Sequence, residues 1–228
     1  MDNAHSKTAI EDFYYDEGII MIRKFFDIIT ASIVLSAFAD SAGAANLVSN
    51  GGFESSNIGN AFYVHVPSGA NLIDDWQVVG NPGQGVDIVS NRVGHNGYVF
   101  SGEQAIDMAG TPGPGSIFQD LATTPNTTYD LSFYASSNGG AKANGLSVFW
   151  DGILIDIIST PSLGNWELFT YNVAANSNLT RLEFTGNFGG VAGSLIDEVK
   201  VESESVPEPL GIFSLAAVLS VFVLKRKQ

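Results

Sequence analysis

The chain has 228 residues, no cysteine, and 24 acidic against 10 basic side chains, for a formal net charge of −14. The lack of cysteine excludes disulfides, thiolate metal sites and thiol nucleophiles together. The charge argues against nucleic-acid binding, which needs a basic footprint, and is compatible with divalent cations or simply with solubility.

Met1–Ile20 carries His5, Lys7, Glu11, Asp12, Asp16 and Glu17 with no clear period. From Met21 the pattern changes to a basic pair, Arg23-Lys24, a mostly apolar run from Phe25 to Phe38, and the small residues Ala42-Gly43-Ala44. That order reads as a secretory signal peptide over 21–44, cut between Ala44 and Ala45, with Asp27 a charge out of place in the apolar run. Residues 1–20 then read as an over-extended start ahead of Met21; a long n-region is the alternative.

Residues 45–205 form the expected mature domain. Its only basic residues are Arg92, Lys142, Arg181 and Lys200, against 16 carboxylates, so the acidity belongs to the exported part. Period-2 alternation dominates here. Tyr129, Leu131, Phe133 and Ala135 share one face of a strand, with Asp130, Ser132 and Tyr134 on the other. Leu146–Trp150 runs into Asp151-Gly152 and then Ile153–Ile155. An Asp-Gly pair between two apolar runs predicts a type I′ hairpin, because both central positions need positive φ. Phe169, Tyr171 and Val173 alternate, as do Leu182 and Phe184 against Arg181, Glu183 and Thr185, and a last strand spans Leu195–Val201. Loops rich in Gly or Pro are expected at 80–85, 110–115, 136–145 and 186–193. With no convincing helix of ten residues, the domain reads as all-β, a two-sheet sandwich or jelly roll.

The C-terminal stretch has three parts. Val206-Pro207-Glu208-Pro209 cannot continue a strand or helix, because each proline lacks a backbone donor and restricts its predecessor. An uncharged run from Leu210 to Leu224 follows, and Lys225-Arg226-Lys227 come next. About 15 helical residues reach roughly 22 Å, short of a ~30 Å hydrocarbon core. Counted from Val206, with the basic side chains snorkelling, the segment just crosses a membrane and keeps its cations on the cytoplasmic side. An ordinary core helix should show a polar face, and this run has none.

This stretch resembles the PEP-CTERM sorting signal of exopolysaccharide-producing Gram-negative bacteria. The resemblance covers residues 206–228 and implies transient inner-membrane anchoring, recognition and cleavage by an exosortase near the Pro-Glu-Pro, and delivery to the cell surface or extracellular matrix. A second resemblance spans the domain. Asn46–Glu54, Trp76, Val86-Asp87, Ala105–Met108, Ser116–Gln119, Tyr129–Phe133, Trp166 and Ile196–Val199 occur in the order seen in the DUF642 and "choice-of-anchor C" group of secreted domains. It implies a galactose-binding-like jelly roll, often associated with carbohydrate, although fold alone does not fix function.

Site candidates follow. Asp197 shares parity with Leu195, Val199 and Val201, which turns it towards the core, where a carboxylate is costly unless paired or bound to a cation. Glu54 becomes its neighbour if the terminal segments lie side by side. The related jelly rolls often hold a structural calcium between two such acids, so Glu54 and Asp197 are expected as Ca²⁺ ligands, completed by backbone carbonyls. The other reading is that both accept only backbone or Arg hydrogen bonds. Among Tyr63, Trp76, Tyr98, Trp150 and Trp166, the tryptophans are assigned to core packing. Tyr63 and Tyr98, in less regular sequence, are the candidates for stacking on sugar. Catalysis finds little support. There is no G-x-S-x-G, H-E-x-x-H or phosphate loop, and only His65 and His95 remain after residue 20. Asp74-Asp75, Glu103 and Asp107 could in principle supply a glycosidase pair, but Asp74-Asp75 read rather as a turn before Trp76. The expectation is an exported, non-enzymatic domain that binds extracellular polysaccharide, with a purely structural matrix protein as the alternative and a polysaccharide-active enzyme as the third reading.

Overall fold

The computed structural model describes residues 45–93 and 97–204. The segments read as 1–20 and as the signal peptide 21–44, with Ala44, lie outside the described residues, as do His95, Val206–Pro209, the apolar run and Lys225–Lys227.

Eleven strands run through the described residues: β1 Tyr63–Pro67, β2 Gln77–Val79, β3 Gly85–Ser90, β4 Gln104–Asp107, β5 Ser116–Ala122, β6 Thr127–Ser137, β7 Lys142–Trp150, β8 Ile153–Thr160, β9 Glu167–Ala175, β10 Leu179–Gly186 and β11 Ser194–Ser203. The only helical turn described is a 3-10 turn at Asn91–Val93. The strands form two antiparallel sheets, ordered β1-β3-β4-β11-β6-β9 and β2-β5-β10-β7-β8. This is the all-β sandwich that the alternation predicts.

The core lies between the sheets, and the alternating residues supply it. Tyr129, Leu131, Phe133 and Ala135 of β6 face Leu146, Val148 and Trp150 of β7 and Leu182 and Phe184 of β10, all buried in one apolar cluster. Burying each large apolar side chain contributes about 1.5–3 kcal/mol, and Phe133 meets Phe184 edge-on at 4.9 Å between ring centroids. The Asp151-Gly152 hairpin forms as expected. Both residues have positive φ, 53° and 76°, and Trp150 pairs with Ile153 across the two-residue turn. Residues 136–145 are less of a loop than their glycines suggest, since β6 runs to Ser137 and β7 starts at Lys142.

Residues 46–53 lie along β11. The Leu47 N–H donates to the Val201 carbonyl and the Val199 N–H to that of Gly51, while Phe53 is fully buried and packs on Trp76 at 5.6 Å. Gln119 locks this segment to β5: its Oε1 accepts the Ser49 N–H and its Nε2 donates to the Ser49 and Asp75 carbonyls. Asp75 takes positive φ, 67°, in a turn that closes with Trp76 N–H donating to the Ile73 carbonyl, the role read for Asp74-Asp75.

The last strand departs from simple alternation. Ile196, Val199 and Val201 all join the inter-sheet core, whereas Leu195 packs on the opposite face of its sheet. The pairing of β11 with β6 shifts register between Asp197 and Lys200, and Glu198 there has φ of 51°. A bulge inserts one residue and reverses which face follows. Asp197 therefore turns with Leu195 away from the core, not towards it as unbroken parity predicts.

Candidate functional site

The outward face of the six-stranded sheet carries the chemistry. Register pairs His65 with Asp87, Asp87 with Asp107, and Asp107 with Leu195, so one row crosses four strands. The neighbouring row holds Tyr63, Val89 and Ala105. Ile88, Ile106 and Ile196, at the alternate positions, point into the core. Part of this outer face is roofed. Tyr98, Val99, Leu163 and Trp166 pack on Val89, Ala105 and Leu195 as a second apolar cluster, and the Trp166 Nε1–H donates to the Gly97 carbonyl at 3.0 Å. Phe100 stacks on Tyr134 with 3.6 Å between centroids.

Beside this roof opens a cavity of about 270 Å³ lined by Tyr63, Asp87, Val89, Tyr98, Asp107, Thr111, Asn138 and Val191. Tyr63 and Tyr98, 35 positions apart in sequence, thus meet in one concave site; Tyr63 begins strand β1 rather than a loop. Asp107, Asp87, Asn138 and Thr111 supply polar groups that sequence reasoning did not place beside the tyrosines. The signal available was the spacing of Val86-Asp87 and Ile106-Asp107, in which each acid alternates with a core residue.

Both carboxylates are held. Asp107 Oδ1 accepts the N–H groups of Ala109 (3.0 Å) and Gly193 (2.9 Å), and Oδ2 accepts from Asn138 Nδ2 at 2.5 Å. Burial pushes its pKa up to about 6 against those hydrogen bonds, and the charge of Asp87 adds to the rise. Asp87 Oδ1 accepts the Nδ1–H of His65 at 2.8 Å; burial raises its pKa, opposed by that contact. Gly110 presses against this pair, so that a Cβ there would sit 2.6 Å from His65 Nδ1 and 2.8 Å from Asp87 Oδ1.

The proposed calcium ligands lie elsewhere. Glu54 and Asp197 approach each other around Gly52, whose Cβ position is 3.9 Å from Glu54 Cγ and 4.0 Å from Asp197 Oδ1. Together they clamp one loop. Asp197 Oδ2 accepts the N–H groups of Phe100 and Ser101 at 3.1 Å each, and Glu54 Oε1 those of Glu103 and Gln104 at 2.8 and 2.9 Å. Gly102 sits at φ 69° between them, against the Glu54 carboxylate. Asp197 is fully buried; burial raises its pKa to about 7, countered by its three backbone N–H donors and reinforced by the Glu198 charge. Gln104 Oε1 is a buried acceptor with no partner among the described residues. These oxygens suit a hard cation. Among the described residues, though, no three acidic or histidine side chains are grouped to hold a metal, so carbonyls and Gln104 Oε1 would have to complete the shell.

The remaining candidates fall to packing. Trp76 and Trp150 are core residues, 2% and 5% exposed, and the Trp150 Nε1–H donates to the Ala174 carbonyl. Glu103 is exposed near Arg92, at 3.9 Å. Of Asp74, Asp75, Glu103 and Asp107, only Asp107 lines the cavity, and amides occupy both its oxygens.

Two antiparallel sheets with a concave outer face define a jelly-roll sandwich of the kind built by carbohydrate-binding modules. The chain is similar to TmCBM61, solved in complex with β-1,4-galactotriose, with a TM-score of 0.50 and 18% identity over 71% of this chain and 100% of that one. It is also similar to a family 16 carbohydrate binding module (TM-score 0.47, 15% identity, 68% and 99% covered) and to a family 35 module from Clostridium thermocellum (0.41, 15%, 62% and 98%). No curated protein matches the chain. Residues 46–202 match DUF642, described as a protein of unknown function, and the chain belongs to that family.

Proposed function

We infer that this is a non-enzymatic glycan-binding domain that works outside the cell, on the surface or in an exopolysaccharide matrix. One observation carries the reading: Tyr63 and Tyr98 line the same cavity as Asp87, Asp107, Asn138 and Thr111. Aromatic rings offer faces to the apolar C–H side of a sugar, and fixed polar groups around them orient its hydroxyls. The family 61 module with bound galactotriose supports the reading by analogy of fold. Against catalysis stands Asp107, whose amide contacts suit a fixed acceptor better than a proton-transfer group.

Calorimetry of the protein against soluble polysaccharides tests this reading. Saturable binding that falls roughly tenfold in Tyr63→Ala and in Tyr98→Ala, the size of one lost aromatic contact, is the expected result. Glycan binding indifferent to both changes moves the site away from this cavity, and no binding at all leaves a structural matrix protein.

The export route is the second part of the proposal. Residues 21–44 direct secretion, and Val206–Pro209, the apolar run and Lys225–Lys227 anchor the chain until an exosortase removes them. A chain lacking 206–228 should appear in the medium of the producing cells, while the full chain passes through the membrane fraction. Identical fractionation of the two would remove the tail as an anchor.

A further inference from the structure

The cleft is lined by two carboxylates and, among the described residues, by no Lys or Arg. Arg92 and Arg181 are engaged elsewhere. Arg92 donates to the Gly59 carbonyl, and Arg181 is paired with Asp120 at 2.7 Å. Among the described side chains, the one cationic group that reaches the cleft acids is His65, on Asp87. With Asp87 and Asp107 both ionised, the described lining is therefore net negative whether or not His65 carries a proton.

Asp87 is also unfinished. It is only 6% exposed, and among the described residues its one side-chain hydrogen bond is the one His65 makes to Oδ1. Its Oδ2 has no hydrogen-bond partner among the described residues, although the side chain lines the cavity. Asp107, directly opposite on β4, has every oxygen occupied. Asp87 Oδ2 is not sealed in the interior, since Gln104 Oε1 is the one buried side-chain oxygen without a partner among the described residues; Asp87 Oδ2 is open to the cavity and to a donor placed there. An ammonium group fits that carboxylate oxygen better than a hydroxyl does, because a hydrogen bond with both partners charged is stronger than one with a neutral donor. The same field repels a uronate or sulfated sugar.

We propose that the cleft is selective for an amino sugar with a free ammonium group, which docks on Asp87 Oδ2 while its ring stacks on Tyr63 or Tyr98. This rests on the glycan-binding reading of the cleft and deepens it. Gly110 shapes the site, because any side chain there would strike the His65–Asp87 pair.

The test is calorimetry of the protein with three short probes of the same length: a β-1,4-glucosamine trisaccharide, its fully N-acetylated form and a trigalacturonate. The free-amine form should bind at least about tenfold tighter than the acetylated one, and the uronate should not bind. Asp87→Asn should abolish the preference. Asp151→Asn, an equal charge change in the β7–β8 turn, should leave it intact and so exclude attraction to the acidic surface as a whole. His65→Gln, which removes the competing cation without touching the fold's core, should enlarge the preference and covers the case in which Asp87→Asn does not fold. Equal affinity for the amine and acetylated forms, both lost in Tyr63→Ala, overturns the selectivity and leaves the glycan cleft standing. Affinities that ignore Tyr63→Ala and Tyr98→Ala overturn the cleft itself.

Discussion

Asp107 shows what a cleft residue costs the fold. It is 1% exposed and ties three separate segments together through Ala109, Gly193 and Asn138. Burial outweighs those hydrogen bonds and moves its pKa from 3.8 to about 6. The native state therefore keeps a proton that the unfolded chain has already released. The resulting stabilisation is fully present below about pH 4 and is lost as pH rises through about 6. Asp107→Asn carries no such titration. Its melting temperature relative to the unaltered protein should move in the variant's favour between about pH 4 and 6.5, then stay level. A difference independent of pH across that window would mean that the acid is not held protonated by burial.

At the level of elements, the sequence is most legible where one strand face meets the core and the other meets solvent. β6, β10 and the β7–β8 hairpin follow directly from alternation and from Asp151-Gly152, because water on one side forces the period. Legibility fails where both faces are covered. β3 is buried at all six positions, half by the inter-sheet core and half by the cleft and the roof of Tyr98, Val99 and Trp166, so its pattern no longer tells inside from outside. It fails again at Glu198, where one extra residue reverses the parity of β11 and nothing in the local residue types marks a bulge. Pairing Glu54 with Asp197 nevertheless anticipates the observed neighbourhood, because it depends on the two terminal segments lying together and not on the direction of either side chain. Likewise Tyr63 and Tyr98 stand out in the sequence only as aromatics in irregular stretches. Their convergence depends on the β1–β3 pairing and on the loop before β4, long-range arrangements that local pattern does not encode.

Across the whole domain, the Glu54–Asp197 clamp joins places that folding must bring together from far apart. It fastens the segment before β1, the last strand β11 and the loop 100–104, and that same loop continues into the roof beside the cleft. Among the described residues only backbone N–H groups offset the two acids, and Asp197 is fully buried, so the clamp is short of positive charge. A calcium ion held by Glu54, Asp197, Gln104 Oε1 and nearby carbonyls would supply it, and binding only to the folded state would raise stability by mass action. EDTA should then lower the melting temperature, Ca²⁺ should restore it, and Glu54→Gln should remove the response while leaving a folded protein. Because the loop also roofs the outer face, calcium should raise glycan affinity as well, by rigidifying Tyr98. A melting curve unmoved by EDTA and Ca²⁺ would show instead that the four backbone amides of the 100–104 loop are sufficient to hold both carboxylates, and that the domain's acidity serves the cleft and the surface alone.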